Sequence, residues 1–184
     1  MRSVSPEIDP SKTTGSWQTE AEPAHAFDQL VESLGGLFRV YKEVPGRFQH
    51  FRPSQDLQTA RIDRILVPTD KLKESGWTLG PVGVEIKASG TKLGPPLCQL
   101  IDYSHASWNL LGTWMVPEWY FLWPAHKFYG PLQSILAGQR CGGVHRDPYG
   151  QLIFHSSSIL AKLNPDYVDV RPGNANHGAK RGSR

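Results

Sequence analysis

Hydrophobic positions along the chain switch between a helical period and a strand period, and the switches divide it into elements. Phe27, Leu30, Val31 and Leu34 recur at helical spacing, and the Gly35–Gly36 pair predicts where that helix ends. The run LFRVYKEV, 37–44, alternates as a strand does. ARIDRILVP, 60–68, predicts a second strand, with Ile62, Arg64 and Leu66 on one face and Arg61, Asp63, Ile65 and Val67 on the other. A polar loop over 69–81 leads to a third strand over 82–88. From Pro96 the apolar spacing predicts one helix running on to Leu111. EWYFLW, 118–123, is an aromatic strand closed by Pro124, and 128–139 predicts another helix. Residues 142–156 read as a hairpin turning at Asp147–Gly150. This mixed order predicts an α/β fold, a central mixed β-sheet flanked by helices, and argues against an all-parallel doubly wound sheet.

Composition limits the picture further. With 184 residues, 39% hydrophobic and 20% charged, the chain fits one domain with a substantial core. Residues 1–22 and 171–184 are polar and aperiodic and are expected to be disordered tails around a domain at 23–170. No apolar run is long enough for a bilayer and no signal-peptide pattern opens the chain, so no membrane is expected and the cytoplasm is the expected location. Cys98 and Cys141 are too few for a disulfide framework. The net charge of +3 resides largely in the C-terminal tail, since 23–170 holds 14 bases against 13 acids. A basic tail is only a weak pointer to nucleic acid.

The candidate chemistry sits on the strands. In VGVEIKASG, Val84 and Ile86 point one way and Glu85 and Lys87 the other. An acid and an amine side by side on a buried strand are a structural ion pair or part of a site. If the 60–68 strand is a neighbour, Asp63 converges on Glu85, and two such carboxylates suit Mg²⁺, which keeps waters and also binds phosphate. A lysine beside the ion can orient or help deprotonate an attacking water. Gln99 and Tyr103 stand four apart, on one face of the following helix, and could fix the lysine or a ligand.

Asp63, then VEIKA at 84–88, then QLIDY at 99–103 resembles the PD-(D/E)xK nuclease superfamily, closest to its RecB-like and phage-exonuclease branch with a Gln-x-x-x-Tyr element. The resemblance spans roughly residues 25–125. It implies a restriction-endonuclease-like core and a deoxyribonuclease needing Mg²⁺, with Mn²⁺ able to substitute, of the kind used in phage or mobile-element DNA processing, recombination or defence. Asp63 and Glu85 would be metal ligands and the Ile86 carbonyl a third. Lys87 would be the catalytic lysine, supported by Gln99 and Tyr103. The first helix would add a residue, with His25, Asp28 and Glu32 as candidates and His25 preferred. Where the family has Pro-Asp, this chain has Ile62-Asp63.

Between Arg39 and Arg64 six basic residues surround Phe48, His50 and Phe51. Arg47, Arg52, Arg61 and Arg64, with Lys92 beyond, are candidate DNA contacts, although a solvated loop reads the same. Glu43 could face the site or lie on the surface. Two competing readings stay open: a catalytically silent module that binds nucleic acid or assembles a DNA-processing complex, and a structure-specific junction resolvase. A homo-oligomer or a protein partner is compatible with either.

Overall fold

The computed structural model describes residues 19–48, 59–88, 90–125 and 131–172. Among them, ten strands form one mixed sheet flanked by helices, in the order β10-β9-β8-β7-β6-β3-β2-β1-β4-β5. The elements run α1 (Ala21–Ser33), β1 (Phe38–Phe48), β2 (Thr59–Pro68), α2 (Asp70–Glu74), β3 (Val82–Ile86), α3 (Gly94–Tyr103), β4 (Ala106–Leu110), β5 (Thr113–Met115) and β6 (Trp119–Trp123). α4 (Pro131–Gly138), β7 (Cys141–Arg146), β8 (Leu152–His155), β9 (Ile159–Asn164) and β10 (Tyr167–Pro172) complete the chain.

β2 runs antiparallel to both its neighbours, β1 and β3, whereas β6 runs parallel to both β3 and β7. Strand β6 shows how the sheet separates two cores. Trp119, Phe121 and Trp123 enter the cluster under α1, with Phe27, Leu30, Val31, Val82, Val84 and Ile86. Tyr120 and Leu122 enter the cluster under α3 and α4, with Ile65, Leu97, Leu100, Trp108 and Leu136. Both faces being covered, all five residues of β6 are buried. Helix α1 ends as expected, with Gly35 and Gly36 at φ 64° and 78°, a conformation that glycine alone adopts freely. The β7–β8 hairpin turns as expected too: Asp147 Oδ1 accepts from the Tyr149 and Gln151 amides at 2.9 and 2.8 Å.

Three expectations are corrected. The helix after Pro96 stops at Tyr103, and residues 106–110 form β4 instead. The free edge of β1 accounts for this, because pairing Gly46 with Trp108 buries the indole completely, and a Cβ on Gly46 would collide with that ring. The stretch 69–81 contains α2, which buries Leu72. Ile62 does not share the face of Arg64 and Leu66: it packs with Ile65 in the α3 cluster, and Leu66 lies in the other. Simple alternation fails here because Glu43, at the position facing Asp63 in the β1–β2 register, has φ 50°. That left-handed residue shifts the pleat between Tyr41 and Val44. At the ends, α1 begins at Ala21 and β10 reaches Pro172, each slightly into the stretches expected to be tails. Residues 1–18, 173–184, His50, Phe51 and Arg52 lie outside the described residues.

Candidate active site

The ladder between β2 and β3 runs through Leu66–Val82, Ile65–Gly83 and Arg64–Val84. The next position along would set Asp63 against Glu85. There the Asp63 carboxylate reaches across instead, and its Oδ2 accepts the Ile86 N–H at 2.6 Å. A carboxylate thus satisfies an amide at the fork of the two strands.

Glu85 is 2% exposed. Its Oε1 lies 2.7 Å from Lys87 Nζ, and its Oε2 is buried without a hydrogen-bond partner. Burial, and then the charge on Asp63, push the Glu85 carboxyl up to about 7 in spite of Lys87. Burial also raises Asp63, against the pull of the Ile86 amide and Lys87, with Glu43 and Glu20 adding to the rise. Burial alone would lower the Lys87 ammonium, but its hydrogen bond to Glu85 and the charges of Glu85 and Glu20 outweigh it, so Lys87 is held above the ordinary lysine value.

The expected trio therefore comes together, and the structure adds an acid from the stretch expected to be disordered. Glu20 Oε1 lies 3.3 Å from Lys87 Nζ, placed there by the start of α1, where Trp123 Nε1 donates to the Pro23 carbonyl. His25, the preferred first-helix residue, is instead exposed on α1, and so is Glu32. Asp28 turns to a different task. It takes Arg64 Nε and Nη2 at 2.8 and 3.1 Å and Lys42 at 2.6 Å. Burial works against the Asp28 charge, yet these cations hold its carboxyl below the usual value.

Arg64 is thereby corrected as a DNA contact. It is 6% exposed, and Nη1 donates to the Asp63 carbonyl at 2.7 Å. It ties α1 to the backbone of the acid at the fork. Gln99 and Tyr103 meet as their spacing predicts, but not on the lysine. Gln99 Nε2 donates to Tyr103 Oη at 2.5 Å, and Tyr103 donates to the Arg61 carbonyl at 2.6 Å. Burial, then the Glu85 charge, push the Tyr103 phenol well up, so it stays a neutral donor bracing β2 two residues before Asp63. The described basic candidates Arg47, Arg61 and Lys92 are exposed.

Glu43 is nearer the site than its strand pattern alone suggests. Its carboxylate lies 3.7 Å from Arg61 and 3.6 Å from Arg64, and its charge is felt at Asp63. A non-glycine residue at positive φ inside a strand is invisible to alternation, so the sequence held no signal for it.

The donor set can be tested against a hard divalent cation. The unpartnered Glu85 Oε2 in a buried pair of carboxylates is a place where positive charge is lacking, and oxygen donors are what Mg²⁺ takes. Among the described residues no group of 3 or more His, Cys, Asp or Glu is gathered as a metal cage. Mg²⁺ needs only one or two carboxylates, with waters and substrate completing its shell, so the residues fit it. Among the described residues no helix is long and apolar enough to cross a membrane. Comparison of the chain with protein-family models, with curated proteins and with solved structures finds no match.

Proposed function

We propose that this chain is a divalent-cation-dependent deoxyribonuclease of the PD-(D/E)xK type. The observation that carries the reading is the fork of β2 and β3: Asp63 and Glu85 side by side, Lys87 on Glu85, and a buried carboxylate oxygen with no partner. The covering of the β1-β2-β3-β6 sheet by α1 on one face and α3 on the other supports a restriction-endonuclease-like core. Asp63 and Glu85 would hold the ion, with the Ile86 carbonyl as third ligand. When bound, such an ion supplies positive charge to a phosphate oxygen and lowers the pKa of a coordinated water.

Lys87 keeps its proton near neutrality, which makes it a donor to the scissile phosphate or to the attacking water, and not a free base. Its tie to Glu85 fixes the ammonium beside the acid pair. Tyr103 and Arg64 hold β2 at Arg61 and Asp63, so the acid keeps its place when a charged substrate arrives.

The test is cleavage of supercoiled, linear duplex, single-stranded and branched DNA with Mg²⁺ or Mn²⁺. Wild type should cut, and both Glu85→Ala and Lys87→Ala should lose at least about 100-fold in rate, the scale of removing one charge-stabilising group. A folded, metal-supplied wild type that cuts none of them, or cuts equally well in both variants, would rule the nuclease out. DNA binding without cleavage would point to the silent module.

A further inference from the structure

At the β5 end, Arg47 and Trp114 are exposed on the sheet face turned away from α3. On β1, Val44 and Phe48 pack toward the α3 cluster and Gly46 faces Trp108, so alternation turns Arg47 to the opposite side. There its guanidinium lies over the Trp114 ring, 4.2 Å from the centroid. Trp114 is 44% exposed, and Arg47 is exposed as well. Arg47 is in register with Thr59 of β2 and Ser107 of β4, while Arg61, its side chain 70% exposed, is in register with Pro45. Trp114, Arg47 and Arg61 therefore run diagonally from β5, past β4, to β1 and β2, and the pleat of β2 shifts just beyond Arg61, at Asp63.

An arginine laid on a tryptophan is a flat, cationic platform. Bases stack on aromatic rings and on guanidinium planes, and the charge meets phosphate. Only unpaired bases have free faces to give such a platform; a duplex presents phosphates and groove edges. Glu43, 3.7 Å from Arg61, is the acid at the site end of the strip. The strip is a poor template for a second copy of the chain, because β5 is only three residues long.

We infer that Trp114, Arg47 and Arg61 form a track for single-stranded DNA that ends on the Asp63 side of the fork. The inference rests on the nuclease reading for what happens at the end of the track, and not for the binding itself.

The experiment is fluorescence anisotropy of a labelled oligo-dT and of a duplex of equal length, in EDTA, with thermal melting to show that each variant is folded. Trp114→Ala and Arg47→Ala should each weaken oligo-dT binding about 5- to 150-fold, as expected for one lost stacking contact, and duplex binding less. Trp114→Phe should keep most of the affinity. A folded Trp114→Ala that binds oligo-dT as wild type does, or loses oligo-dT and duplex by the same factor, overturns the track. So does sedimentation showing that Trp114→Ala turns a dimer into a monomer while oligo-dT affinity holds.

Cleavage with Mn²⁺ on the same proteins separates the two readings. A wild type that cuts nothing but loses oligo-dT in Trp114→Ala keeps the track and sinks the nuclease. Loss of cleavage in Glu85→Ala with normal oligo-dT binding in Trp114→Ala keeps the nuclease and sinks the track.

Discussion

At the scale of single residues, Glu85 gives the cation-free protein a pH dependence of its own. Its carboxyl titrates near 4.5 when unfolded and is pushed up to about 7 when folded, so between those values the folded chain holds a proton that the unfolded chain has released. Stability from this group is therefore present below about pH 4.5 and lost as pH rises through about 7. Urea melts in EDTA at a series of pH values should show stability falling over that window in wild type. Glu85→Gln should flatten the slope, and a slope unchanged by the substitution would mean that Glu85 is not the group.

Arg64 offers a second test at this scale. Removing it leaves the Asp28 charge with Lys42 alone and frees the Asp63 carbonyl, so Arg64→Ala should cost about 3–5 kcal/mol in urea unfolding. The trio of Asp63, Glu85 and Lys87 was legible in the sequence because Glu85 and Lys87 alternate with Val84 and Ile86, and Asp63 sits in a plainly apolar strand beside them, even though the pleat of that strand shifts at Asp63. Glu20, Glu43 and the Arg64–Asp28 tie were not, since they depend on where α1 docks and on one positive φ, neither of which leaves a period.

At the scale of elements, the sequence placed α1, β1, β2, β3, β6 and the β7–β8 hairpin. What it misplaced was the junction of α3 and β4. Leu97, Leu100 and Ile101 keep helical spacing with Trp108 and Leu111, and nothing local says that the chain leaves the helix at Ser104 to pair with a free edge. Tertiary pairing overrides local preference there. Gly46 is the residue that permits the pairing, so Gly46→Ala should force Trp108 out of place and cost about 1–3 kcal/mol. Hydrogen exchange should show faster exchange in β4 and β5 than in β3 and β6. Tyr103→Phe should cost about 1 kcal/mol or more, from the loss of its bonds to the Arg61 carbonyl and to Gln99.

At the scale of the whole molecule, β6 joins two antiparallel halves, β5-β4-β1-β2-β3 on one side and β7-β8-β9-β10 on the other. Phe121 sits at that joint, fully buried, with its ring edge-on to Phe154 at 4.9 Å and stacked near Trp119. Phe121→Ala should cost about 3–5 kcal/mol. If the sheet is one cooperative unit, tryptophan fluorescence and far-UV circular dichroism should report the same urea midpoint for that variant, and separated midpoints would show that the halves melt apart. The sequence foretold a mixed sheet but not β9 and β10, whose short alternations could equally belong to a loose tail until β8 offers them an edge.

The amide that Asp63 captures has a consequence for anyone watching the protein in solution. Because the Ile86 N–H donates to a carboxylate and not to a neighbouring strand, its proton chemical shift is tied to the charge on a single side chain. In a nitrogen-edited spectrum the Ile86 cross-peak should move upfield as Asp63 takes up a proton on acidification, and move again when a divalent cation competes for the same carboxylate. One resonance would then follow the ionisation of the fork and the arrival of its ion.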